Sequence, residues 1–203
     1  MAAAQGTKVE YASIGLLWFA LQAQWTTVIP VMVPHHVATA LGSKATGKEG
    51  ITGTIIAVGS IIALLVPPIV GALSDRTRTP NGRRRPYLIS GIVGSCVALA
   101  MLGPAAQFNS LLLYTLAFLN LQFWWNWIAG PYAGLIPDVV PASARNNATA
   151  WMNALGIIGT IFGNLLMALT YSAESENIVV PAFISLNVIC LTFTLRNVIE
   201  PPP

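Results

Sequence analysis

Carboxamides and indoles recur at helical spacing along the apolar stretches of this chain. Trp18, Gln22 and Trp25 stand at i, i+4 and i+7, which sets one amide between two indoles on a single helical face. Gln122 and Asn126 share a second face, with Asn120, Trp124 and Trp127 on the opposite side of the same segment. Asn153, Thr160 and Asn164 form a third stripe. An amide both donates and accepts hydrogen bonds, and an indole offers a flat apolar plane, so such faces suit a polyhydroxylated ligand such as a sugar. The candidate ligand residues are Gln22, Trp25, Gln122, Asn126 and Asn153. The same side chains have a purely structural use, because amide bonds between helices in a bilayer are worth about 1 kcal/mol and Trp gathers in interfacial belts.

Charge concentrates elsewhere. Only 8% of residues are charged, yet Arg76, Arg78, Arg83, Arg84 and Arg85 supply five of the ten Lys and Arg within "GALSDRTRTPNGRRRPYLISG". A short cationic loop acts as a topology determinant, and each cation near a membrane surface adds about 1 kcal/mol of attraction to anionic head groups. The order of residues suggests a further use. Asp75 followed directly by Arg76 at a helix end caps orphaned backbone groups and pairs with neighbours, and Asn81-Gly82 marks a turn. Asp138, in "LIPDVVP", is expected to pair with Arg76 or Arg145.

Catalytic constellations do not emerge. No metal-ligand cluster and no nucleophile beside a base is visible, so neither enzymatic activity nor a metal or cofactor is expected, and nothing points to nucleic acid. Cys96 and Cys190 sit among apolar neighbours and read as buried thiols. His35 and His36 read as interfacial loop residues at the end of the first apolar stretch.

The elements that carry these residues follow from composition. With 55% hydrophobic residues and a mean hydropathy of +0.67, the chain is an all-α membrane protein rather than a soluble domain. Six apolar stretches, about 11–34, 51–73, 87–105, 110–136, 147–171 and 178–195, each approach the roughly 20 residues that cross a hydrocarbon core. "IIALLVPPIVGAL" does not alternate as a barrel strand does. Residues 1–203 therefore read as a single six-helix transmembrane bundle in a multi-pass protein of the cell membrane. Lys8, the arginine loop, Arg145 and Arg196 fall on one side, against Lys44, Lys48, Glu174 and Glu176 on the other. The positive-inside rule then puts both termini in the cytoplasm. Gly159 and Gly163 have the spacing for close helix packing, and Pro67-Pro68 and Gly130-Pro131 permit kinks.

Three stretches carry a family resemblance. "GALSDRTRTPNGRRRP" resembles the signature between helices 2 and 3 of the major facilitator superfamily, closest to its sucrose-transporter and glycoside-pentoside-hexuronide symporter branch. "WFALQAQWTTVIPVMVP" and the stretch "GPYAGLIPDVVPASARNNATAWMNALGIIGTIFGNLL" are similar to the first helix and the helix 4–5 hairpin of that branch. The resemblance implies half of a twelve-helix fold, with the central cytoplasmic loop beginning about residue 196. It implies alternating access for a sugar or similar small polar solute, driven or facilitated. Gly71, Asp75, Arg76, Arg83, Arg84 and Arg85 match the loop signature, with Asp138 and Arg145 in the adjoining gate. Asp75 is then expected to meet a second six-helix half, from another polypeptide or a second copy. Gln122 stands where that branch carries an acidic residue, and an amide cannot carry a proton. A non-transporting membrane scaffold or assembly subunit on the same fold, or an incomplete transporter fragment, is the alternative expectation.

Overall fold

The computed structural model describes residues 8–42, 46–80, 82–108, 110–170 and 175–198, which form helices joined by short turns, and no strand occurs among them. Lys44, Asn81 and Glu174 lie outside those residues, as does the stretch from 199 onward.

The first span begins as α1 (Lys8–Thr27), widens through a π turn at Val28–Met32, and continues as α2 (Val33–Leu41). Its sequence explains the turn. Pro30 and Pro34 lack the N–H of a regular ladder, and the ring of Pro34 would strike the carbonyl of residue 30 in an α turn, so the helix opens there. Gly42 ends α2 at φ 86°, a conformation that residues with a Cβ rarely adopt. His35 and His36, expected in a loop, are therefore helical. His36 is buried, and its ring centroid lies 4.3 Å from that of Tyr114.

Four further long helices complete the bundle with α7: α3 (Lys48–Arg76), α4 (Arg85–Gln107), α5 (Leu111–Val139), α6 (Arg145–Leu169) and α7 (Ser175–Asn197), with a 3-10 turn at Ala142–Ala144 before α6. Ser110 caps α5, its hydroxyl accepting from the backbone N–H of Leu113 at 3.4 Å. Gly82, at φ 104°, lets the arginine loop reverse direction between α3 and α4.

Packing shows a pattern the sequence does not. Helix α1 packs along α6 and α7, and α5 packs along α3 and α4. Each leading helix of a three-span set thus sits between the second and third members of the other set, and α1 and α5 meet through their aromatic residues at the centre. Small residues permit the closest crossings. Gly159 and Gly163 on α6 face the backbone carbonyls of Phe19 and Ala23, and Gly130 on α5 faces Pro67 on α3.

Among the described residues, five segments can cross a membrane by length and composition: Tyr11–Leu41, Lys48–Arg76, Arg85–Gln107, Ala142–Leu169 and Ile178–Asn197. α5 is also long enough, at 29 residues, but carries Asn120, Gln122, Asn126 and three tryptophans. It is buried along much of its length, which removes the need for an apolar surface. Isoleucine and leucine face outward from α3 and α6, among them Ile61, Leu64, Ile69, Ile157, Ile161 and Leu165. An apolar exterior around a core that encloses amides and tryptophans is the arrangement a lipid solvent selects.

Candidate functional site

The arginine loop closes one end of the bundle by an ion-pair network. Three elements bring its members together: the last turn of α3 presents Ser74 and Asp75, the start of α4 presents Arg84 and Arg85, and the end of α5 presents Gly134 and Asp138. The Arg84 side chain is only 6% exposed. Its Nε donates to Asp138 Oδ2 at 2.9 Å, its Nη2 meets Asp75 Oδ1 at 2.5 Å, and its Nη1 donates to Ser74 Oγ at 2.5 Å. Space for the guanidinium comes from Gly134, whose missing side chain leaves it room. Arg83 reaches the same Asp138 through Nε at 3.1 Å and through a second contact from Nη2 to Oδ1. Two guanidinium forks against two carboxylates satisfy a partly buried charge set that neither pair could satisfy alone.

This pairing differs from the expectation that Asp138 would meet Arg76 or Arg145. Arg76 is exposed at the end of α3. Arg145 instead donates to the backbone carbonyls of Pro137 at 2.9 Å and Val140 at 3.2 Å. Those carbonyls lie at the C-terminal end of α5, where backbone acceptors lose their helical partners, and Pro141 has no N–H to offer. Arg85 does the same for α7, donating to Leu195 O at 2.6 Å and Val198 O at 2.7 Å. Gly71 contributes its carbonyl at 3.5 Å from Arg84 Nη1 and lies across from Gly130. Asp75 keeps a side chain that is 55% exposed, so much of its carboxylate is open at this end of the bundle.

Farther along the helices the amides and indoles form a second polar layer. Trp25 and Trp125 bring α1 against α5, with ring centroids 5.1 Å apart. Gln122 lies against Gly59 of α3, where a side chain would collide with its Nε2. Asn126 is buried, and its Nδ2 donates to Gln122 O at 2.8 Å. Gln22 is half-buried on α1, near Gly156 of α6. Asn153 is exposed on α6, one turn beyond Thr149. So Trp25 lies at the α1–α5 contact, Gln122 turns to α3 with Asn126 bonded to its main chain, and Gln22 and Asn153 stand to the α6 side. Asn120 turns toward α4, its Nδ2 4.0 Å from Met101 Sδ. Trp127 Nε1 donates to Ser90 Oγ at 3.1 Å, and Asn164 Nδ2 donates to Thr160 O at 2.9 Å. These three serve packing.

Between α1, α5 and α6, at the arginine-loop end, lies a cavity of about 390 Å³. Trp18 and Tyr132 stack in its wall at 5.3 Å and 9°, and Arg145, Thr149 and Met152 complete the far side. Tyr132 is fixed by its hydroxyl, which donates to Ile14 O at 2.7 Å. None of the five candidate ligand residues lines this cavity.

Sequence reasoning missed a buried amide pair. Gln24 Nε2 donates to Asn187 Oδ1 at 2.6 Å, and Asn187 Nδ2 returns a bond to Gln24 Oε1 at 3.2 Å, both residues fully enclosed. A lone asparagine in the apolar run "FISLNVICL" was the available signal, since an intramembrane amide requires a partner. Trp125 and Tyr132, which make the inner contacts of α5, were missed as well. Cys96 is half-buried and Cys190 buried, both as free thiols. Among the described residues no group of three His, Cys, Asp or Glu stands where it could hold a metal.

Comparison with known proteins gives this geometry a lineage. The sequence pattern of the Major Facilitator Superfamily matches residues 14–203. The chain is 25% identical over 173 residues to sucrose transport protein SUT1 of Oryza sativa subsp. japonica, covering 74% of this chain and 31% of that protein. It is 29% identical over 132 residues to sucrose transport protein SUT4 of Oryza sativa subsp. indica, covering 52% and 22%. Against the general alpha-glucoside permease of Schizosaccharomyces pombe it is 26% identical over 159 residues, covering 72% and 28%. The chain thus spans about a third or less of the length of these relatives. A match across nearly the whole chain, joined to an all-helical lipid-facing bundle, makes the protein an integral multi-pass membrane protein that belongs to the Major Facilitator Superfamily.

Proposed function

We propose that this chain is the N-terminal six-helix half of a secondary active or facilitative transporter that moves a sugar or similar small polar solute by alternating access. The observation that carries the reading is the Arg84 network. A buried guanidinium binds α3, α4 and α5 at one end of the bundle, and Asp75 leaves its carboxylate open to a further partner. Such a junction fixes three helix ends as one body, which rigid rocking of one half against another requires. The partner is a second six-helix half or another copy of this chain. Both termini and the arginine loop face the cytoplasm of a cell membrane, since the cations collect on that side.

The solute face is the amide and indole layer. Gln22, Trp25, Gln122, Asn126 and Asn153 supply donors, acceptors and an aromatic plane to a polyol. The names of the relatives, sucrose transport proteins and an alpha-glucoside permease, favour a glycoside. Chemistry on the solute is not part of the reading. Movement without covalent change needs only differential affinity for two states of the carrier.

Uptake of labelled sucrose and maltose into lipid vesicles carrying the chain in its native assembly tests the proposal. Filling above protein-free vesicles is expected, reduced at least tenfold by Gln22→Leu or Gln122→Leu if each side chain contributes about 1.4 kcal/mol or more to solute binding. Equal filling by native protein, both variants and empty vesicles would sink it.

A further inference from the structure

Gln122 Oε1 and Trp125 Nε1 are among the buried polar atoms that find no hydrogen-bond partner in the described residues. Gln122 is 2% exposed and Trp125 3%. They stand three residues apart on α5, so they are neighbours on one face of the helix. Their chemistry is complementary. The carboxamide oxygen only accepts, and the indole N–H only donates. A buried polar group left unpaired is disfavoured strongly enough that few persist in native structures.

The surroundings fix both groups. Gly59 and Phe118 lie against the Gln122 side chain, and the Gln122 main-chain carbonyl is taken by Asn126. Trp125 is held by the ring of Trp25. Neither side chain can turn outward to bulk water without leaving these contacts.

We propose that Gln122 and Trp125 form a hydroxyl-binding site, in which one O–H group accepts from Trp125 Nε1 and donates to Gln122 Oε1. A hydroxyl is the small group that does both at once. In the solute-free protein a resident water supplies it, and a solute hydroxyl supplies it when a polyol enters. Only this second source rests on the transporter reading. Trp125 and Gln122 are then specificity-determining residues, because a methylene in place of that hydroxyl leaves the indole N–H unpaired and a fluorine cannot donate to Gln122 Oε1.

Radiolytic footprinting of the full chain in lipid nanodiscs tests the site, since a radical born from a held water marks the side chain it touches. Trp125 is expected to label severalfold more in the native protein than in Gln122→Leu or the unbranched Gln122→Met. Trp151, exposed on α6, serves as the internal control and labels equally in all three. Helical content measured by circular dichroism separates a lost water from a lost fold. Saturating sucrose is then added. A fall in Trp125 labelling assigns the hydroxyl to the solute, whereas unchanged labelling leaves it to the resident water and removes sucrose from this position without removing the site. Background labelling of Trp125 in the solute-free native protein overturns the proposal, as does equal labelling in folded Gln122 variants.

Discussion

Arg84 and Gly134 fill one space between them: a Cβ placed on the glycine overlaps the Nη2 and Cζ of the guanidinium. An arginine tip usually swings clear of such a contact. Here it cannot do so without releasing Asp75, Asp138 or Ser74, which hold three of its nitrogens.

Gly134→Ala should therefore loosen the ion network while leaving the helices intact. Overpacking of this kind costs about 1–3 kcal/mol. Thermal unfolding in detergent reads the loss, and Arg84→Ala supplies the control background. With the guanidinium gone, the added methyl has room and the alanine gains up to about 1 kcal/mol of helix propensity over glycine. A Gly134→Ala penalty of the same size in both backgrounds means that the guanidinium is not what the methyl strikes.

Two glycines on neighbouring helices should respond in opposite ways. A Cβ at Gly130 would meet the backbone of α3, with Gly71 N at 2.9 Å and Pro67 C at 3.0 Å, and backbone does not move aside. At Gly53, on α3, nothing lies within 4 Å and no proline follows. Gly130→Ala is expected to lose about 1–3 kcal/mol and Gly53→Ala to gain about 0.5–1 kcal/mol, measured by the same detergent melts. Equal shifts in one direction would show that α3 and α5 do not touch at Gly130.

The contrast between those glycines marks the boundary of what the sequence discloses. The helical class and the lipid-facing exterior were legible because apolar runs such as "IIALLVPPIVGAL" admit few alternatives in water or membrane. The arginine loop was legible as a cluster, but its partners were not. Asp138 and Arg145 lie seven residues apart and invite pairing, yet the carboxylate faces α4 while Arg145 follows the frayed end of α5. Periodicity assigned Trp18 and Gln22 to one face of α1 and passed over Gln24, because its partner Asn187 is 163 positions away. Such pairings depend on which helices become neighbours, and local spacing carries no information on that. His35 and His36 were misplaced because the apolar run gives out at about residue 34, whereas the π turn at Val28–Met32 takes in Pro30, α2 opens with Pro34 in its first turn, and the helix continues.

Arg85 offers a local test of the arginine loop. Its guanidinium donates to Leu195 O and Val198 O, joining the start of α4 to the last turn of α7. Hydrogen bonds to a charged donor contribute about 1.5–3 kcal/mol. Arg85→Leu should speed amide hydrogen exchange near the C-terminal end of α7 by about tenfold or more, with α6 unchanged. Exchange that rises equally along both helices would point to global loosening instead.

The reciprocal bonds between Gln24 and Asn187 join α1 to α7 inside the bilayer region. Removing one amide leaves polar atoms of the other buried and unpaired, although Gln24 Nε2 keeps its bond to Ala20 O at 3.2 Å, so Gln24→Leu and Asn187→Leu should each destabilise the bundle by about 1–2 kcal/mol. Removing both leaves no unpaired amide, and leucine is close enough in volume to repack, so the double variant should be less destabilised than the sum of the two. The excess is the coupling energy, about 0.6 kcal/mol for an average membrane pair and up to about 1.7 kcal/mol for a strong one. With two bonds at 2.6 and 3.2 Å in full enclosure, this pair belongs at the upper end. A double-mutant cycle on thermal stability in detergent supplies the number. Strict additivity would mean that each amide finds another partner when released, and that the α1–α7 contact is held by packing alone.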